Sequence, residues 1–476
     1  MTSRVAVILI VGLSESVLGE RTPRLGAFAR ERTVRPLTPA LPAVTTTSQA
    51  CMLTGRFPSE HGIVGNGWYD RVSKEVRFWQ QSNALVGAEK AWETARRFDP
   101  GVTCAKSFWW YNMYSSANWS VTPRPIYAAD GRKFPDVYAQ PENLRARLQA
   151  ELGTFPLFRF WGPGASIESS RWIAEAAKFI ERSHEPTLHL IYLPHLDYAL
   201  QRFGPGVPEA LQAAGEIDAV AGDLIEFLLE RGVEPMIVSE YGIEPVTTPV
   251  FPNRALRALG MIRLREEQGG EVLIPGGSRA FAVCDHQIAH VYLNDPSARE
   301  RVAVILSHVP GVERVLEGGE RRAAGLDHER AGDLVLIAER GAWFAYPYWF
   351  EESSAPDFAR TVDIHRKPGY DPCELFIDPA IRFPKRAIAS RLLRQRLGFR
   401  TLMDLIPLDA SLVKGSHGRV EVEPRHRPIL IGDGQLGAIG EPGGTLPMTR
   451  VRDAILSRLF GGDERLRAAF EQGRAP

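Results

Sequence analysis

Apolar positions along the chain fall into two periods. Residues 5–11 (VAVILIV) form an unbroken apolar run, the pattern of a strand covered on both faces inside a parallel sheet. Residues 187–193 and 234–239 repeat it, and 428–432 repeats it late in the chain. Residues 102–110 (VTCAKSFWW) read as a strand running into aromatics. Between these runs, apolar residues spaced three and four apart predict helices over 22–32, 83–97, 142–151, 167–184 and 208–231. Strands alternating with helices of this length predict an α/β fold with a doubly wound, mostly parallel sheet. In such sheets ligands bind beyond the carboxyl ends of the strands. Gly12, Thr45, Asp197 and Glu240 each follow a strand segment, so all four can meet on one edge.

The alternation is interrupted between Glu240 and His417. There, strands over 289–293, 312–316, 333–338 and 342–348 and a helix over 298–308 predict an inserted, smaller α+β cap subdomain. The expected division is a core of residues 1–250 and 405–435, a cap of 251–404, and a tail of 436–476. In the tail, residues 449–473 read as an amphipathic helix broken at Gly461-Gly462. Residues 109–138 are irregular and aromatic. They read as a long excursion packed by its own rings, or as a wall beside the site.

Composition narrows the class of protein. The chain has 476 residues, with 57 Lys+Arg against 57 Asp+Glu. This overall neutrality gives no basic excess to attract nucleic acid or an anionic membrane surface. No apolar run approaches the roughly 20 residues of a membrane span. Residues 5–11 are read as a buried strand and not as a signal peptide. Cys51, Cys104, Cys284 and Cys373 are widely spaced, which predicts free buried thiols and a reducing, cytoplasmic setting.

Chemistry concentrates in residues 39–71, PALPAVTTTSQACMLTGRFPSEHGIVGNGWYDR. A hydroxyl run, Thr45 to Ser48, follows an extended Pro-containing lead and opens a short helix that Gly55 closes. Thr45 at the N-cap is either a structural cap or a nucleophile beside an anion-binding helix terminus. Asn66, in Gly65-Asn66-Gly67, is either a turn residue or a phosphate contact.

This segment resembles the nucleophile region of the nucleotide pyrophosphatase/phosphodiesterase family, within the alkaline phosphatase superfamily. The matching features are the Pro-rich lead, Thr45, Thr54-Gly55, Pro58, His61-Gly62-Ile63 and Asn66. The resemblance implies an alkaline-phosphatase-like fold with an inserted cap, and Thr45 as a nucleophile passing through a phosphothreonine. It also implies Asn66 on a phosphoryl oxygen, and one or two divalent ions, zinc or manganese. Carried over motif by motif, the ligand positions fall on Asp197, Gln201 in place of a His, His417, Glu240 and Tyr241 in place of Asp-His, and Val11 in place of an Asp. His195 lies two residues before Asp197, where a continuing strand places both on one face. It is a candidate replacement ligand, as are Asp285-His286, His328 and His365. Trp110 and Tyr111, with the aromatics of 343–349, are candidates to stack a planar substrate group, although core packing is the commoner use of such rings. Arg202 and Lys414 are candidate phosphate contacts. The implied function is a metal-dependent phosphodiesterase or pyrophosphatase type of hydrolase acting on a small phosphorylated molecule, in a possible homo-oligomer. The alternative is an altered relative that binds a phosphorylated or anionic metabolite without turning it over.

Overall fold

The first apolar run becomes the centre of the fold. The computed structural model describes residues 2–471 apart from Pro442 and Gly462, and Val5–Ile10 forms strand β1 with every residue buried. Each Val, Leu or Ile so buried contributes ~1.5–3 kcal/mol, which is why this stretch tolerates no polar residue. In chain order follow β2 (Thr33–Thr38), β3 (Cys104–Ser107), β4 (Trp119–Pro123), β5 (Val137–Gln140), β6 (Leu188–Leu193) and β7 (Glu234–Val238). Then come β8 (Ala280–Asp285), β9 (Ile288–Leu293), β10 (Val312–Leu316), β11 (Leu334–Ala338), β12 (Ile429–Gly432) and β13 (Leu446–Pro447).

One nine-stranded sheet runs in the order β13-β2-β12-β7-β1-β6-β3-β4-β5. β1 pairs parallel with β6, Val5 opposite Leu188, and parallel with β7, Val5 opposite Glu234. β3 lies parallel to β6 and to β4, and β2 parallel to β13. β12 runs antiparallel to both its neighbours, β2 and β7, and β5 antiparallel to β4. This is the mostly parallel α/β sheet that the apolar runs predict. Helices Ile167–His184 and Pro208–Glu230 pack on each other, and Val451–Leu459 packs on β1 and on the helix Thr45–Thr54.

A second, antiparallel sheet has the order β8-β9-β11-β10, with the helix Arg299–Ser307 against β10. Its apolar cluster also takes in Ile63, Val64, Trp68, Phe78 and Tyr111, so the loop that follows the Thr45 helix packs with the inserted region.

Several elements differ from the expected ones. Residues 83–97 divide into a short turn at Asn83–Leu85 and a helix at Ala91–Phe98, with Gly87 in the break. Of residues 342–348 only Ala342–Phe344 forms a strand, parallel to Thr248–Val250, because Pro347 has no N–H for a ladder. A helix at Pro384–Arg396 was not anticipated. Residues 446–459 complete the main core through β13 and Val451–Leu459, whose side chains are largely buried, so the stretch expected as a tail is partly core. Gly462 and Gly473 fall outside the described residues. All four cysteines are free and buried.

Lys106, on β3, is fully buried and donates to the carbonyls of Tyr111 (2.9 Å) and Trp110 (3.3 Å). Burial pushes its pKa down from 10.5 to about 7. Below pH 7 the folded and unfolded states both carry the proton, and the folded state bears the cost of a buried ammonium. Between pH 7 and 10 the folded state sheds the proton first, so stability rises with pH. Lys106→Met is expected to gain about 2–4 kcal/mol on the wild type at pH 6, an advantage that shrinks by pH 9. Melts of both proteins across that range check it, and a difference independent of pH would contradict it.

Candidate active site

Thr45 does not cap its helix. Val44, extended at φ −129° and ψ 159°, is the N-cap, Thr45 is the first helical residue, and Gly55 closes the helix at φ +67°. The expected N-cap position is therefore off by one, with a chemical consequence. The Thr45 hydroxyl is not used on its own backbone, and lies 3.0 Å from Tyr241 Oη. Its neighbours are used locally: Thr46 Oγ1 donates to Gly65 O (2.7 Å) and Thr47 Oγ1 to Ile63 O (3.1 Å). Asn66 completes this tie. Its Oδ1 accepts from the Thr46 N–H (3.1 Å), while its own N–H and Nδ2 donate to the Asp285 carboxylate (2.8 and 3.1 Å). Asn66 thus joins the start of the Thr45 helix to the end of β8.

Two buried carboxyls flank Thr45. Glu240 follows β7, and its Oε1 accepts from Gln49 Nε2 at 2.5 Å. Gln49 is one helical turn after Thr45 and shares its face, and its Oε1 accepts the Trp110 N–H at 2.7 Å. Burial drives the Glu240 pKa well above the usual carboxyl range, against the pull of Gln49 and the Thr45 hydroxyl. Asp197 sits in the helix His195–Phe203. Its Oδ2 accepts from Gln201 Nε2 (2.8 Å) and its Oδ1 lies 3.5 Å from Tyr241 Oη. Burial pushes its pKa up to about 7. The Gln201 oxygen accepts from Tyr370 Oη (2.8 Å).

Aromatic rings stack above the carboxyls. Tyr241 lies flat on His417, centroids 3.5 Å apart at 6°. His417 is 3.7 Å from His286, and His286 is 3.8 Å from Tyr370. Partners assign both imidazole tautomers. His417 Nδ1 lies 2.8 Å from Ala43 O, which can only accept, so Nδ1 carries the proton. His286 Nδ1 likewise donates to Asp285 Oδ1 (2.8 Å). The two Nε2 atoms, with Glu240 Oε2, are buried and unpartnered among the described residues. Gly242 follows Tyr241, and a Cβ there would fall 1.3 Å from His426 O, so only glycine fits beneath this turn.

Other expected site residues lie elsewhere. His195 and Asp197 do not share a strand face: β6 ends at Leu193, and both residues lie on a helix, about 200° apart. His195 Nε2 instead meets Glu216 Oε2 at 2.7 Å. His328 Nδ1 accepts from Arg330 N, and His365 Nδ1 lies 3.3 Å from Phe78 O. Tyr111 is buried in the second apolar cluster, which removes it as an open stacking surface, while Trp110 is half-buried beside Trp79, centroids 4.9 Å apart. The Arg202 guanidinium lies over Phe203 and Phe376, and Lys414 Nζ donates to Ser411 O. Gln49 and Tyr370 were missed by sequence reasoning. For Gln49 the available signal was its spacing of four from Thr45, and Tyr370 had none.

The model of the type I phosphodiesterase / nucleotide pyrophosphatase family matches residues 5–371. The chain belongs to this family. An uncharacterised pyrophosphatase/phosphodiesterase of Schizosaccharomyces pombe is 27% identical over 243 residues, 48% of this chain and 41% of that protein. Human ectonucleotide pyrophosphatase/phosphodiesterase family member 7 is 24% identical over 301 residues, 57% of each. The chain thus spans about half the length of these phosphodiesterase relatives. Among solved structures, phosphonoacetate hydrolase of Sinorhizobium meliloti in complex with phosphonoformate superposes with a TM-score of 0.59 at 15% identity, covering 95% of this chain and 94% of that one. An inactive variant of murine ectonucleotide pyrophosphatase / phosphodiesterase 5 with AMP gives 0.57 at 13%, covering 96% and 95%. These likenesses establish the fold.

The two-ion site that the family resemblance implies does not fit the donors present. Val11 offers no ligand atom. The Gln201 amide points its N–H at Asp197, and its oxygen is held by Tyr370. Glu240 is tied to Gln49, and the Tyr241 ring covers one face of His417. Asp197, Glu240, Gln201, Tyr241 and His417 do come together, but the first four are hydrogen-bonded to protein side chains and His417 joins them by stacking on Tyr241. Among the described residues no group of three or more His, Cys, Asp or Glu is placed to hold a metal ion. Elemental analysis of protein purified without chelator is expected to find zinc and manganese well below one ion per chain. EDTA is expected to leave Tm unchanged, since a ligand that does not bind the folded state cannot stabilise it. One or two tightly held ions would overturn both expectations.

Proposed function

We propose that the protein is a phosphoryl-transfer hydrolase of the phosphodiesterase/pyrophosphatase type, acting on a small phosphorylated or phosphonate substrate with Thr45 as nucleophile. One observation carries the reading: the Thr45 hydroxyl, at the first turn of a buried helix, is free of capping and paired with Tyr241 at 3.0 Å. The positive end of the helix favours a phosphoryl group beside it.

Thr45 Oγ1 attacks phosphorus, the bond from phosphorus to the leaving group breaks, and a phosphothreonine forms. The Thr45 proton passes to Tyr241 Oη as the phenol proton moves to ionised Asp197. Water then attacks phosphorus and the bond to Thr45 Oγ1 breaks. Oγ1 takes its proton back from Tyr241 as Asp197 returns one to the phenol, and the proton shed by the water neutralises the departed leaving group. Burial favours the protonated form of Glu240, and in that form it offers an O–H in place of a negative charge that would repel the substrate. No step of the proposal passes through zinc or manganese. Phosphonoformate and AMP, bound by two neighbours of the same fold, support a phosphoryl or phosphonyl group as the moiety recognised.

The test is hydrolysis of nitrophenyl phosphate, nitrophenyl diesters, a dinucleotide pyrophosphate and phosphonoacetate by the wild type and Thr45→Ala. Turnover that survives the substitution would sink the mechanism. A second reading, ligand binding without turnover, draws on the amides of Gln49 and Gln201, each of which already occupies one oxygen of a buried carboxyl. Calorimetric binding of AMP with no product formed would favour it.

A further inference from the structure

The helix Pro384–Arg396 has no buried residue, which sets it apart from the long helices that build the core. Its inner side is half-buried at Ala387, Ile388 and Gln395, and Arg391 Nε holds Asp404 Oδ1 at 2.7 Å. The outer side carries Leu393 and Leu397, and Phe383, Phe399 and Leu402 flank it. All five are exposed, Leu397 at 66% and Phe399 at 65%. Water is a poor solvent for such a set, and exposed apolar side chains gathered on one short segment mark an interaction surface.

Charge identifies what covers it. Residues 379–402 contain seven Lys or Arg and no Asp or Glu, in a chain whose overall charge is zero. Of these cations Arg391 alone is paired with a carboxylate among the described residues. A second copy of the chain would set two such cation clusters against each other. Nucleic acid would satisfy the cations and leave leucine and phenylalanine against phosphates. A bilayer surface with anionic headgroups takes both: apolar side chains enter the headgroup–acyl boundary, and arginines reach lipid phosphates along their own aliphatic stems. Among the described residues no helix is long and apolar enough to cross a membrane, and the proposed contact is along the surface.

We propose that residues 379–402 form a docking surface for an anionic phospholipid membrane. Net charge summed over the whole chain averages this local excess of cations away.

Full-length protein is floated with vesicles of phosphatidylcholine, with and without phosphatidylserine. Binding is expected to need phosphatidylserine and to weaken with salt. It is expected to fall more than about tenfold in R394E/R396E and in L393S/L397S, with Tm unchanged because these four side chains are exposed. The proposal is overturned if the wild type ignores phosphatidylserine vesicles, or if both variants bind as well as it does. It is equally overturned if the wild type dimerises or retains an oligonucleotide through this segment in sedimentation while leaving the vesicles free.

Discussion

Thr45→Ala is expected to lower kcat by about a thousandfold or more on every substrate the protein hydrolyses. The substitution removes the atom that attacks phosphorus, and the remaining helix terminus and carboxyls can bind but not bond. The fold is expected to lose little. Val44 carries the N-cap position and Thr45 Oγ1 makes no bond to its own helix, so the change removes one hydrogen bond, about 1 kcal/mol. Rate and stability thus separate, which distinguishes a nucleophile from a structural threonine. Thr45→Ser, which keeps the hydroxyl, is expected to retain part of the rate. Single-turnover assays on all three proteins, with melts alongside, check the prediction, and an alanine variant as fast as the wild type would end it.

Gly242→Ala is expected to be the most damaging alanine substitution among the described glycines. The added Cβ would stand 1.3 Å from His426 O and 2.5 Å from His426 C, far inside any van der Waals contact. The obstacle is backbone, and it is held on several sides. His426 N donates to Glu423 O (2.9 Å), its ring meets Ser16 Oγ (3.0 Å), and β12 begins three residues later. Rearrangement on this scale costs more than about 4 kcal/mol. Gly319→Ala is the control, because nothing lies within 4 Å of a Cβ there and the loss of unfolded-chain freedom is slightly stabilising. Soluble yield and Tm of the two variants decide the matter. Equal behaviour would show that the turn under Tyr241 is softer than its contacts.

The parts of this protein legible in the sequence are those in which local pattern and burial coincide. β1, β6, β7 and β12 are apolar runs because helices and loops cover both faces, and each lies within a residue or two of its expected place. The Thr45–Asn66 segment is legible because its turn residues and helix stop are local. What is decided between distant residues was hidden. The stacking of Tyr241 on His417 and the placing of Asp285-His286 beside Asn66 depend on how the inserted sheet packs on the Thr45 helix. Gln49, close in sequence, was overlooked because an amide carries no obvious chemistry until Glu240 lies beside it. His195 was misplaced by one assumption, that β6 continues past Leu193. The basic helix at Pro384–Arg396 was lost by summing charge over the whole chain.

The position of β12 has a consequence for how the protein is made. Ile429–Gly432 lies between β2 and β7, antiparallel to both, and β2 with β13 joins the rest of the sheet through it. A ribosome must therefore deliver more than four hundred residues before the sheet can be joined. Until then β7 presents an open edge of unpaired N–H and C=O groups, beside hydrophobic surface of the unfinished core. Few of the bonds that unite the sheet are between sequence neighbours, which slows closure further. The nascent chain, more than the finished one, is where this protein is exposed to aggregation, and chaperone demand during synthesis follows from the place of one four-residue strand.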